Sequence, residues 1–225
     1  MRKKHIYIIL LLTLFSCNKK QPDEKPFINS QNFFARITDI SKFKNTEKTK
    51  LNDSTYKIKG IIDSLQVVGH LTHNNEKIDW WNIVDLNNNK KAAIIEYRIV
   101  DNKEFANQYK VFNNSKLDSS KSKYYTHKSR MGEESKIISY YFHVPKSKEI
   151  IRSEGKFLYV VYESTKKEEK IDDECKCISS GNQYRCEISI PYKNSIIITG
   201  VFWELSQHKD GKMGGSEIYV RDTLK

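Results

Sequence analysis

From Ser54 onward, polar and apolar side chains trade places at almost every step. Tyr56-Lys57-Ile58-Lys59 alternates, Ala92 to Val100 carries Ile95, Tyr97 and Ile99 at one parity, and Tyr184, Cys186, Ile188 and Ile190 oppose Arg185, Glu187 and Ser189. In an extended chain successive Cβ atoms point to opposite faces, so a period of two buries one face and wets the other. Breakers punctuate these runs: Asp63-Ser64, Asn87-Asn88-Asn89, Asp101-Asn102, Asn113-Asn114-Ser115 and Gly181-Asn182. Asn, Asp and Gly tolerate left-handed backbone and suit tight turns. Runs this close together leave no room for the crossover helices that parallel strands need. The expectation is a mainly β, antiparallel chain with one short N-terminal helix.

Two domains are expected, residues 31–130 and 131–225. In Gln31 to Lys50, Phe33, Phe34, Ile37, Ile40 and Phe43 recur at spacings of three and four, which predicts a helix of two to three turns capped by Asn29 or Ser30. Strands then follow as a meander, with Lys128 to Ser135 as the boundary. Trp81 to Asp85, an Asn-rich turn with Lys90 and Glu96-Tyr97 are echoed about 27 residues later by Gln108 to Phe112, an Asn-rich turn with Lys116 and Tyr124-Tyr125. Over residues 60–126 this pattern resembles a degenerate MORN-type repeat, with Gly60 and Gly69 retained and Asn or Asp at the other turn positions. The resemblance implies stacked hairpins and extends to antitoxin-like proteins. In the second half, strands are predicted at Lys136–Val144, Lys156–Glu163, Ile171–Ser179, Gln183–Ile190, Ser195–Leu205 and Ser216–Arg221. Their length and spacing resemble an immunoglobulin-like β-sandwich. Within Ser195–Leu205, Ile197, Val201, Trp203 and Leu205 are read as the inner face, with Ile198 and Phe202 apolar on the other side, so the strand is expected to be central in its sheet.

Arg2, Lys3 and Lys4 precede an apolar run from Ile6 to Phe15, too short to span a bilayer, and Ser16-Cys17 closes it. This segment resembles a bacterial lipobox signal peptide. That implies removal of residues 1–16, acylation of Cys17 and a lipid bilayer as partner in the cell envelope, the outer membrane above all. Residues 17–30 read as a tether, and Gln21-Pro22-Asp23-Glu24 resembles the acidic signals that send some Bacteroidetes lipoproteins to the cell surface. The formal charge is +11, spread as single lysines and short pairs, with no Arg-rich helix or basic-aromatic motif, so nucleic acid is not an expected partner.

Export favours disulfides, and Cys17 leaves Cys175, Cys177 and Cys186. A two-residue turn at Gly181-Asn182 sets Cys177 opposite Cys186 at a non-hydrogen-bonded pair and Cys175 opposite Ile188, as a buried thiol; a slipped register would join Cys175 to Cys186 instead. Cys-x-Cys plus one further cysteine falls short of four zinc ligands, so no metal and no cofactor is expected. His70 and His73 point to opposite faces of a strand, and Asp172-Asp173-Glu174 reads as a solvated turn. No nucleophile elbow, Ser/His/Asp set or carboxylate pair stands out. Adjacent Trp80 and Trp81 must face apart, one into the core. With Tyr97 and Tyr109 they form the candidate surface for a glycan or protein partner. The expected function is a non-enzymatic binding or scaffold module. An antitoxin-like or immunity lipoprotein and an envelope hydrolase stand as alternatives.

Overall fold

The computed structural model describes residues 30–163, 171–191 and 195–224. The expected signal segment, Cys17, the tether, the Asn29 cap and the side chains of Ser30 and Asp172 lie outside them. Helix α1 (Ser30–Ile37) has about the predicted two turns and starts at the N-terminal end of the predicted span, and a 3-10 turn follows at Ile40–Lys42. Thr38 ends the helix by directing both its N–H and its hydroxyl to the Phe34 carbonyl. The rest of that span is a strand, β1 (Lys44–Lys50), exposed along its whole length. A strand with no buried face carries no alternation to read.

Strands β1, β2 (Thr55–Ile62), β3 (Leu65–Thr72), β4 (Lys77–Asp85), β5 (Lys90–Val100), β6 (Lys103–Asn113) and β7 (Lys116–Leu117) pair in chain order as a seven-stranded antiparallel meander. Two-residue turns set the register. Asp101 and Asn102 both take positive φ between Val100 and Lys103, as do Asn114 and Ser115 between Asn113 and Lys116. These backbone twists match that of the flanking strands. One face of the sheet packs under α1, with Phe34 and Ile37 meeting Ile58, Val67, Leu71, Trp81, Ile83 and Ile95. The Trp81 ring lies on Gly69 and that of Phe43 on Gly60; a Cβ at either glycine would run into the ring. Glycine at both positions leaves room for the aromatic ring that covers it.

The chain leaves this sheet after Leu117. β8 (Tyr124–Met131) pairs with β9 (Ser135–His143), so the expected linker from Lys128 and the echoed return strand at Tyr124-Tyr125 both fall in the second sheet. There β10 (Ile150–Glu163), β11 (Ile171–Ser180), β12 (Gln183–Pro191), β13 (Ile196–His208) and β14 (Met213–Leu224) complete the order β14-β13-β10-β11-β12-β9-β8. β10, β11 and β12 follow one another as hairpins and β13 returns beside β10, a Greek key. β11 serves both halves: residues 171–177 pair with β10 and residues 178–180 with β12. The sheet folds over into a sandwich-like layer pair. Phe142 of β9 stacks on Phe202 of β13 with ring centroids 4.3 Å apart, although the two strands are not neighbours.

β13 turns the opposite face inward from the one expected. Ile198, Phe202, Glu204 and Ser206 are buried, whereas Trp203 and Leu205 are exposed. The register sets Phe202 between Phe157 and Ile218, in line with the aromatic core, and this forces its odd-numbered neighbours outward.

The two cores do not merge. Buried polar side chains fill the junction between the sheets. Asn107 donates from Nδ2 to the Glu96 carboxylate at 2.7 Å and to the Tyr219 carbonyl at 2.9 Å, and its Oδ1 accepts from the Tyr219 N–H at 2.7 Å. Gln108 donates to the same carboxylate and accepts from the Tyr125 N–H. The Lys123 ammonium donates to the carbonyls of Ala106 and Glu217 at 3.0 and 3.1 Å.

Candidate functional site

The aromatic set expected at the surface is mostly interior. Trp81, Tyr97 and Tyr109 belong to the first core, and Tyr97 hydrogen-bonds Thr38 there. Trp80 alone of the four keeps partial exposure, on the open face of the meander with the Lys110 ammonium 5.8 Å from its ring centre. Of the adjacent tryptophans, Trp81 is therefore the core residue.

A larger feature lies where the two sheets meet. A cleft of about 1230 Å³ runs along β13 and β14, walled by Phe105, Tyr109 and Lys123 on one side and by the segment Pro145 to Ser147 on the other. On its floor the register places Lys156, Trp203 and Glu217 in one row across β10, β13 and β14. Trp203 is 50% exposed, yet its Nε1–H donates to Glu217 Oε1 at 2.7 Å. The second oxygen of Glu217 accepts from the Tyr219 hydroxyl at 3.4 Å. The indole's only donor is thus satisfied within the protein, its edge is held in place, and its apolar surface is presented to solvent. An exposed aromatic that is already ordered loses little entropy on binding.

The far side of β13 supplies the polar end. Glu204, 5% exposed, accepts the Tyr184 hydroxyl at 2.7 Å, and burial raises its carboxyl above the ordinary range. Lys146 donates to Ser153 at 2.8 Å and lies 4.7 Å from the Tyr184 ring centre; burial lowers its ammonium below the ordinary lysine range. Lys123 is lowered to about 8 by burial, against the opposing pull of Glu217. His208, Glu154 and Lys156 complete a lining of mixed charge. No family model matches the chain, and neither a curated protein nor a solved structure does. The cleft is therefore read from its own chemistry, which offers an apolar platform beside acidic and basic groups of unequal burial.

The cysteines lie away from the cleft. A disulfide joins Cys177 to Cys186 with Cα atoms 4.6 Å apart, in the register set by Ser180↔Gln183 and Ile178↔Arg185. Cys175 is free and half-buried, with its Sγ 3.4 Å from the Glu187 carbonyl, and burial raises its thiol. Asp173 and Glu174 are engaged by Tyr159 and Lys156. His70 lies 3.9 Å from Asp79, and His73 is exposed. Among the described residues no three His, Cys, Asp or Glu side chains gather closely enough to hold a metal ion, and no helix is long and apolar enough to cross a membrane.

Proposed function

We propose that this chain is a lipid-anchored binding module of the bacterial envelope, non-enzymatic and held by an acylated Cys17, which receives its ligand in the cleft over Trp203. The pinned, solvent-facing indole carries this reading: it is a large apolar surface kept rigid where water would otherwise favour covering it. The disulfide is compatible with an oxidising compartment and so with export. Acyl chains on Cys17 would retain the protein without any membrane-spanning segment.

Two experiments test the two halves of this reading. Cys17→Ser should abolish incorporation of labelled palmitate and release the protein from the membrane fraction; a variant that stays membrane-bound refutes the anchor. A photo-crosslinking amino acid at Leu205 should give a light-dependent adduct in living cells that the same group at Leu51, exposed in the turn between β1 and β2, does not give. Equal labelling at both positions, or none at Leu205, refutes the cleft.

One observation favours a hydrolase as a second reading. A buried carboxyl raised above its ordinary range beside a depressed lysine is an arrangement suited to proton transfer. Under that reading Glu204→Gln abolishes turnover while leaving crosslinking at Leu205 intact; under the preferred one no turnover exists to lose.

A further inference from the structure

We infer that the cleft receives an extended peptide segment, which adds as a strand to the free edge of β14 over Met213–Glu217. This names the partner class for the binding site proposed above, and rests on that reading.

The argument begins with the hydrogen-bond parity of β14. Along an antiparallel strand, residues alternate between those that exchange both backbone bonds with the neighbour and those that exchange neither. The Tyr219 N–H and C=O are both taken by the Asn107 side chain, and the Glu217 C=O by Lys123, so these residues face away from β13. At the other end the His208 N–H bonds the Lys212 carbonyl, which fixes the even-numbered residues as the ones paired to β13. Gly215 and Met213 therefore direct their N–H and C=O groups outward. β14 is the last strand of its sheet, and both residues are exposed.

The Asn107 amide already does at Tyr219 what a pairing strand does: it donates to the carbonyl and accepts from the N–H of one residue. The edge geometry is thus competent for strand addition, and the two outward positions toward the hairpin continue the same line with no hydrogen-bond partner among the described residues.

The other exposed edges of the molecule are defended. β1 carries three lysines, β7 is two residues long, and β8 presents Lys128 and Arg130. Charge and shortness are the usual guards against unwanted pairing. The edge of β14 has Gly214 and Gly215 instead.

Those glycines also give access. An added strand would point alternate side chains to the two faces of the sheet. On one face, past Gly215, they reach Leu205 and Trp203 one strand further in. On the other, past Gly214, they reach Ser206 and His208, the atoms nearest to a Cβ placed at Gly214. The first face takes an apolar or aromatic residue and the second a polar one. Main-chain bonds then supply affinity and the alternating subsites supply selection, which is the logic of strand addition at a sheet edge.

The probe is a nine-residue peptide of alternating threonine and phenylalanine with a charged residue at each end, against the same peptide N-methylated at every second backbone nitrogen. With the full chain in detergent and 15N-labelled glycine, binding should slow amide exchange at Gly215, and N-methylation should weaken binding by at least about tenfold, through the loss of two or more hydrogen bonds. Met213→Pro removes an outward N–H without touching a bond to β13 and should weaken the unmodified peptide to a similar degree. Trp203→Ala should weaken it while leaving the exchange protection of Gly215 in place at saturation. Binding that perturbs Trp203 but leaves Gly215 exchange unchanged overturns strand addition and spares the binding site. No binding of the unmethylated peptide overturns strand addition, and crosslinking at Leu205 then decides the site separately. Concentration-dependent dimerisation lost in Met213→Pro would assign the edge to a second copy of this chain and overturn the proposal.

Discussion

Asn107 makes three hydrogen bonds from a fully buried side chain and, with Gln108 and Lys123, joins the two sheets. Leucine fits its volume but strands the Tyr219 N–H and C=O and leaves the Glu96 carboxylate with a lost donor. Asn107→Leu should therefore lower stability by about 2–4 kcal/mol in urea unfolding. Lys123 offers a second test. Its folded pKa of about 8 lies below the value of 10.5 taken for an exposed lysine, so the native state sheds this proton first. Stability from this group must then rise between those two values, by an amount of order 3 kcal/mol, and be lost as pH falls through 8. A neutral amine keeps two N–H donors, enough for both carbonyls it bonds. The rise should be absent in Lys123→Met, and 15Nζ shifts should titrate near 8. Neither residue was legible in the sequence as more than one Asn or Lys among many. Trp203 was visible but assigned inward, because Ile197, Val201, Trp203 and Leu205 form an apolar series by themselves. The deciding fact, Phe202 aligned between Phe157 and Ile218, belongs to neighbouring strands.

At the level of elements, the existence of strands with one buried face could be read because alternation records burial directly, while their ends were often missed: β10 begins six residues before the predicted Lys156 and β14 extends past Ser216–Arg221 at both ends. β12 was predicted at Gln183–Ile190 and runs Gln183–Pro191. The turns were equally plain, because left-handed backbone selects Asn, Asp and Gly. β1 and β8 were missed for one reason: they are edge strands whose residues are nearly all exposed, and a wet strand looks like a loop in composition. The disulfide followed from turn geometry alone. Its closed loop is short, so Cys177→Ser with Cys186→Ser should cost about 2–3 kcal/mol. Peptide mapping without reduction should recover that bridge, with Cys175 alkylated only slowly. β8 and β14, at opposite ends of the second sheet, are drawn together by Asp222, which accepts the Tyr125 hydroxyl at 3.0 Å and lies 3.4 Å from His127 Nδ1. The hydrogen bond to Asp222 raises the His127 pKa above 6.5, while burial and the Lys136 charge oppose it. Burial alone would raise Asp222, but hydrogen bonds from His127 and Tyr125 hold it below 3.8. The imidazolium contribution is complete below 6.5 and fades as pH rises through the higher folded value; that of the carboxylate is complete above 3.8 and fades as pH falls through its folded value. Raising pH from 6 to 8.5 should loosen amide protection in β8 by under about 1 kcal/mol, the partial exposure of the pair limiting the effect, and His127→Gln should remove the dependence.

For the molecule as a whole, two antiparallel β-sheets were readable, whereas the boundary near Lys128 was misplaced, since β8 from Tyr124 already belongs to the second sheet, and the manner of their joining was not readable. Each sheet owns a separate apolar core, one under α1 and one between the folded halves of the second sheet. Between them lie Glu96, Asn107, Gln108 and Lys123, groups that water can solvate nearly as well as they solvate one another. Calorimetry should therefore show two overlapping transitions in place of one, and Asn107→Leu should move them further apart. The polar junction also sets how tension would travel. A load taken up at α1 enters the first core, and among the described residues it reaches the second through the chain crossing at residues 118–123, the Tyr109–Lys123 backbone pairing, the Gln108–Tyr125 bond and the side chains pinning β14. Polar links of this kind, beside the cleft, can part and re-form with both interiors still dry.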